Sequence, residues 1–562
     1  MGRNKNKKSG SGIQVQGVAS FKPAKVNVGP VQIPESALNE LNSSYKLFQS
    51  YFPTLEKFKE NVSLQSLGHG ILSSSKFPEN TDEVYVKVVH LLNPDDWIQG
   101  NYSFTKDASM PGLTDGWGNV VDKLQCDENQ AYVDTIAAAT LSQLREQNLS
   151  PHFVKFYGAV CAKADKYCYN ISEEFQSYKN TKWFWQNFRE KSFGIRVFSE
   201  EKDRFLTEDE VVPFLLTPEQ VELLKEDEEA EEEDEDQDQN EEVLEDLPII
   251  DEAVNRVELE SVGSFGNTTG STRSIFRVSP SNHTLNSNSD GEEDEEDQDY
   301  FVEFDGMPVM LIFMEKLKGV MDELLDDCTL NEEKWTAWIW QVICALIQAY
   351  AYIELYHNDL HGNNLLYKET EDEFIYYRTK DNQVWKVPTF GKIFCLIDYG
   401  RSIYRISGQQ LISDEFFEGN GAAGQYNFGP IRDPKSPPIL PNQSFDLVRL
   451  AVSIFDTLFE NTPKAKSGPM VGILSREGSW VVKETESPLY NLLWSWMTDI
   501  NGKNVLHDEE GEERFPGFDL YKHITAHCKG AVPKEQIRKP IFEKFKYTGV
   551  VPAGVTIYPL FV

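Results

Sequence analysis

The stretch EEKWTAWIWQVICALIQAYAYIELY, residues 332–356, constrains this chain more than any other. Its residues are mostly apolar, and a helix that is apolar on all sides must be buried by other elements. It runs straight into YHNDLHGNNLLY, residues 356–367, which sets an Asp, two His and three Asn among apolar residues. Such polar groups are costly to bury unless each finds a partner. Either this loop is a tight turn with solvated amides, or its side chains are held for chemistry.

Other segments supply layers for that helix to pack against. EVYVKVVHLL (83–92), HFVKFYGAV (152–160) and VMLIFME (309–315) have the β-branched and aromatic content of strands. KIFCLIDYG (392–400) is a buried strand ending in an Asp and a Gly. QAYVDTIAAATLSQLREQ (130–147) and SFDLVRLAVSIFDTLF (444–459) have helical spacing. Strands and one helix come first and mostly helices follow, which predicts an α+β chain with two lobes. With 562 residues, 40% hydrophobic and 12% aromatic, the chain can build a substantial core.

The net charge of −37 is concentrated in KEDEEAEEEDEDQDQNEEVLED (225–246) and DGEEDEEDQD (290–299). That balance argues against nucleic acid as a partner. Residues 225–300, rich in acid and Ser, are expected to be a disordered insert, with a docking segment for a basic partner as the alternative. The folded parts are then 31–224, the first lobe, 301–317, its last strand and a hinge, and 318–562, the second lobe. Residues 1–30 are expected to be a flexible basic tail, because MGRNKNKKSGSG has no apolar stretch behind it. No run is read as a membrane span. Seven cysteines without a CxxC pair fit reduced thiols and a cytoplasmic setting.

Three oxygen-bearing side chains stand at element ends: Asp359 and Asn364 in the polar loop, and Asp398 after the 392–397 strand. Such a set suits a hard cation such as Mg²⁺, which prefers oxygen and keeps substrate phosphates among its ligands. Upstream, LGHGILSSSKF holds Gly68 and Gly70, a turn whose backbone N–H groups can approach phosphate. Lys87 is a charge inside an apolar strand and needs a partner or a solvent-facing side. A partner is expected from the next helix, with Glu128 chosen and Glu146 competing. Met314, Glu315 and Leu317, with Leu366 and Ile397, form an apolar slot with polar anchors, as a nucleotide base requires. Ordinary core packing explains the three apolar residues Met314, Leu366 and Ile397 equally well. Tyr85 shares a strand face with Lys87, where it would crowd or stack on a base.

Taken together, Gly68–Gly70, Lys87, FMEKL, HNDLHGNN, DYG and SFDLVRLA resemble the eukaryotic-type protein kinase superfamily over about residues 60–460. Closer in, the chain resembles the divergent Ser/Thr kinases of nucleocytoplasmic large DNA viruses, with haspin-like features in DLHGNN and LIDYG. The resemblance implies a bilobal fold and transfer of the γ-phosphoryl of ATP, with Mg²⁺, to a protein hydroxyl. It implies Asp359 as the base, Asn364 and Asp398 as metal ligands, and Lys87 on the α and β phosphates. The backbone around Glu315 and Leu317 would bond adenine, with Met314 and Ile397 behind it and Leu366 as its floor. Asp446 would brace the catalytic loop. His361 stands where a Lys is common beside the γ-phosphate. Asn358 replaces the usual Arg of the loop, which implies no phosphate switch on the activation segment. GAAGQYNFGP (421–430) occupies the place of the usual Ala-Pro-Glu. A nucleotide-binding scaffold and a kinase of a small hydroxylated metabolite remain the alternatives.

Overall fold

The computed structural model describes residues 45–47, 71–72, 84–102, 120–124, 126–189, 192–199, 202, 204–206, 276–280, 298–325, 330–406, 409–459, 463–464, 472–474, 480–482, 485–508 and 513–561. The chain is mixed α+β with several largely antiparallel sheets. The tail 1–30, both glycines of the 67–77 turn and the acidic run 225–246 lie outside the described residues.

The first sheet has the order β1 (Tyr45–Leu47), β4 (Phe156–Ala164), β10 (Pro308–Glu315), β3 (Val84–His90), β8 (Phe276–Pro280), with β2 (Ile71–Leu72) also paired to β4. Strands β3 and β10 lie inside the sheet, where an unbroken apolar run is stable. Their register sets Lys87 opposite Ile312 and Tyr85 opposite Met314. Three helices matter to this sheet: the short α1 (Pro94–Ile98) and α2 (Val120–Leu124), and the longer α3 (Gln130–Glu146). The Asn129 side chain caps α3 by accepting the Ala131 N–H at 3.0 Å. Ser142 of α3 accepts the Phe156 N–H at 2.8 Å, which docks the helix on β4.

Between β4 and β10, neighbours in the first sheet, the chain inserts a second sheet. Its order is β5 (Lys166–Asn170), β9 (Gln298–Asp305), β6 (Gly194–Ser199), β7 (Arg204–Phe205). Helices α4 (Ser172–Tyr178) and α5 (Lys182–Arg189) accompany it. Trp97 of α1 donates its indole N–H to the Ser192 carbonyl at 3.1 Å, and Tyr178 donates to Asp95 at 3.0 Å. The expected insert boundaries therefore move. Residues 276–280 form a strand parallel to β3, and β9 begins at Gln298 rather than at 301.

Helix α6 (Glu332–Ile353) lies at the centre of the remaining chain. Asn331 caps it by accepting the Lys334 N–H at 3.0 Å, and Glu332 and Glu333 complement its first turn. Among the described residues it is the one helix long and apolar enough to cross a membrane, which the sequence reading did not allow for. It is 83% buried inside the protein over its most apolar window. Its glutamines explain the burial. Gln341 bonds the Lys392 carbonyl and the Phe394 N–H, and Gln348 bonds the Leu149 and Pro559 carbonyls.

Around α6 lie a three-stranded sheet, β11 (Gly319–Val320), β12 (Leu365–Glu369), β15 (Lys392–Leu396), and a four-stranded one, β20 (Lys546–Tyr547), β14 (Val384–Pro388), β13 (Phe374–Thr379), β21 (Ile557–Leu560). Two hairpins, β16 (Ile403–Ile406) with β17 (Gln409–Ile412) and β18 (Gly472–Leu474) with β19 (Trp480–Val482), and helices α7 (Phe445–Leu458), α8 (Pro488–Trp496) and α9 (Phe518–His527) complete it.

Candidate active site

The polar loop links α6 to β12, and antiparallel pairing sets Leu365 against Leu396. The Ile397 N–H then reaches the Asn364 carbonyl at 3.2 Å. This pairing brings Asn364 beside Asp398 although 34 residues separate them. Two residues here hold left-handed backbone without being glycine: Asn358 at φ 65° and Asp398 at φ 63°. Asn and Asp tolerate that region best, and outliers of this kind cluster at functional sites.

The loop backbone is fixed from below by Asp446 of α7. Its carboxylate accepts the His357 N–H at 3.1 Å and the Asn358 N–H at 2.8 Å. Burial pushes the Asp446 carboxyl above its ordinary range, with those bonds opposing. His357 bonds the Ile397 carbonyl at 2.8 Å, tying the loop to the strand before Asp398. Asn358 donates to the Arg401 carbonyl at 3.0 Å and accepts the Tyr426 hydroxyl. Tyr426 belongs to the 421–430 segment, so that stretch is tied directly to the loop. Gly362 has a steric reason: a Cβ there would run into the Asp322 carboxylate.

Lys87 is buried between two carboxylates, Asp134 at 2.6 Å and Asp398 at 2.9 Å. Burial opposes its charge, but the two acids outweigh that and hold its pKa above the ordinary lysine value. The partner is therefore Asp134 in the second turn of α3, and the expectation of Glu128 is corrected. Glu128 precedes the helix, and its carbonyl instead accepts the Asp414 N–H at 2.7 Å. Asp134 also accepts the Tyr399 N–H at 2.9 Å, so one side chain links β3, α3 and the turn after Asp398. A signal for it was present in the sequence. Asp134 is the lone acid in the Ala- and Leu-rich interior of that helix, where an unpaired charge cannot stay.

The expected base-binding slot is placed as follows. Met314 is buried in β10, and Leu366, Ile397 and Leu317 are half-buried. The Glu315 N–H is committed to the Lys155 carbonyl at 2.9 Å, and its carboxylate faces Arg145 at 3.7 Å. That amide is therefore engaged within the sheet, so any backbone contact to a base around Glu315 and Leu317 would use other groups. Tyr85 is half-buried against the core on the strand of Lys87.

Asp359 is 3% exposed. Its Oδ1 accepts the Tyr521 hydroxyl at 3.0 Å and lies 3.6 Å from the Arg401 guanidinium. Neither contact was foreseen, since both partners come from distant chain. Asn364 donates from Nδ2 to the Asp359 carbonyl at 2.8 Å and to His361 Nε2 at 3.1 Å. This turns the amide oxygen of Asn364 to the other side, as a cation ligand requires. Among the described residues no three His, Cys, Asp or Glu side chains cluster as a metal site. Asn364 and Asp398 supply two protein oxygens, which fits Mg²⁺ because that ion retains waters and phosphates. Lys87, Asp134 and Asp398 together carry one surplus negative charge, which a bound cation would offset.

Compared with family models and with curated proteins, the chain matches none.

Proposed function

We propose that this protein has a bilobal protein-kinase-like architecture and transfers the γ-phosphoryl group of ATP to a Ser or Thr hydroxyl of a protein. The observation that carries this is the buried Lys87 held between Asp134 and Asp398, with Asp398 paired by strand register to the loop of Asp359 and Asn364. These contacts support a reading in which Asp359 is the base, Asn364 and Asp398 are the oxygen ligands and Lys87 is the phosphate cation, the parts that phosphoryl transfer needs.

In this reading Asp359 orients the acceptor hydroxyl and takes its proton as the oxygen–phosphorus bond forms and the bond to the leaving ADP oxygen breaks. Lys87 holds the α and β phosphates. Mg²⁺, held by Asn364 and Asp398, would neutralise phosphate charge. Asp446 keeps the loop backbone in place throughout.

A second reading, a nucleotide-binding scaffold, draws on Asp359, whose Oδ1 already meets Tyr521 and Arg401. Transfer from γ-³²P-labelled ATP with Mg²⁺, to a mixed protein panel and to the protein itself, separates the two. Label on Ser or Thr that disappears in Asp359→Asn and Lys87→Ala is expected. ATP binding with no label would favour the scaffold, and label on small hydroxylated metabolites alone would make it a metabolite kinase.

A further inference from the structure

Phosphoryl transfer spreads negative charge over the oxygens of the moving group. Fixed cations aimed at that charge are a large source of catalysis. Two side chains beside Asp359 are candidates. His361 is one, and its Nε2 already lies 3.1 Å from Asn364 Nδ2, the amide that donates to the Asp359 carbonyl.

Arg401 is the other. It follows the Asp398–Tyr399–Gly400 turn and is nine-tenths buried. Its ion pair with Asp359, at 3.6 Å, is the one the structure gives it among the described residues. Its Nε has no hydrogen-bond partner there. Its backbone is held by Asn358, which donates to its carbonyl. The hydroxyl of Tyr521 donates to the same Asp359 oxygen, and Tyr521 in turn accepts from Arg449 at 2.8 Å. A guanidinium is always charged and offers several N–H donors in a planar fork that matches phosphate. A reacting hydroxyl within hydrogen-bond reach of Asp359 Oδ1 would stand about 7 Å or less from this guanidinium.

We propose that Arg401 is a catalytic residue of this chain, donating guanidinium N–H groups to the phosphoryl group in transfer and supplying a fixed positive charge beside Asp359. The proposal rests on the phosphoryl-transfer reading above. Tyr521 is a positioning residue, acting through Asp359.

The test compares kcat and KM for ATP in wild type, Arg401→Gln, Arg401→Lys and the double variant Arg401→Gln/His361→Lys, with thermal melting of each. Arg401→Gln is expected to lower kcat by about a hundredfold with little change in KM. Arg401→Lys should fall between it and wild type, since one ammonium replaces the fork only in part. The double variant should recover at least about tenfold, because His361→Lys adds a cation two residues from Asp359 in the same loop. A kcat for Arg401→Gln near or above wild type would overturn the proposal, as would a loss confined to KM. If Arg401→Gln melts early, Arg401→Lys decides, a normal kcat counting against. A wild type that labels nothing removes the parent reading, and this one with it. An active wild type indifferent to Arg401→Gln removes this proposal alone.

Discussion

Asp134 makes two contacts that no acid at the start or end of its helix could make. Its carboxylate meets the Lys87 ammonium on one oxygen and the Tyr399 N–H on the other. Asp134→Ala leaves Lys87 with Asp398 alone and a buried amide without its acceptor. The expected cost is about 3 kcal/mol in stability, read by urea melts, together with loss of phosphoryl transfer. At Gly362 the constraint is steric. Gly362→Ala drives a methyl into Asp322 and should destabilise by about 1–3 kcal/mol. Asp322→Ala in the same chain removes the obstacle and should restore most of the loss. Equal melting of Gly362→Ala and wild type would show that the loop relaxes freely.

At the level of elements, the segment after Asp398 is fastened to α2 by an ion pair and to the start of α3 by a backbone hydrogen bond. Asp414 meets Lys123 of α2 at 2.6 Å and accepts the Gln130 N–H at 3.0 Å. Asn420 donates to the Asp414 carbonyl, and Asn93 donates to Asn420 at 2.8 Å. Because α3 carries Asp134, this fastening also governs Lys87. Lys123→Met leaves a buried carboxylate unpaired and should cost about 3–5 kcal/mol. Lys123→Met/Asp414→Leu should regain stability without regaining full transfer, because the tie to the Gln130 N–H is lost as well. These tethers need no phosphate, so phosphatase treatment is expected to leave the rate unchanged.

Across the whole molecule, His152 joins the chain before β4 to the sheets around α6. It donates from Nδ1 to the Phe394 carbonyl at 2.8 Å and accepts the Tyr377 hydroxyl at Nε2, 2.6 Å away. Both bonds belong to a neutral ring, and burial pushes its pKa down to about 3. The unfolded chain protonates it near the ordinary value of about 6.5. A lowered folded value means that its stabilisation is complete above about pH 6.5 and is lost as pH falls toward 3. By pH 4 the loss is about 3 kcal/mol, at about 1.4 kcal/mol per pH unit. His152→Gln keeps a donor and an acceptor without titrating. The stability difference between wild type and this variant should therefore shrink toward acid by that amount, measured by urea melts at pH 7 and pH 4. A pH-independent difference would mean that His152 is not neutral in the fold.

The sequence alone placed the parts that depend on neighbouring residues. The strand around Lys87, the apolar 332–353 helix, the 356–367 loop, the turn at Asp398 and the helix of Asp446 are each written in a local pattern. It also implied that Lys87 must have a partner. Which partner was a matter for tertiary structure, because α3 is buried on most of its surface and no apolar stripe marks which way its side chains turn. The register of β12 against β15 set Asn364 beside Asp398. Packing of α9 carried Tyr521 across 162 residues to Asp359. The pairing of β5 with β9, on either side of the acidic run, made a second sheet from what read as the flank of an insert. Local propensity acts over a few residues, whereas these contacts follow from how whole faces bury one another.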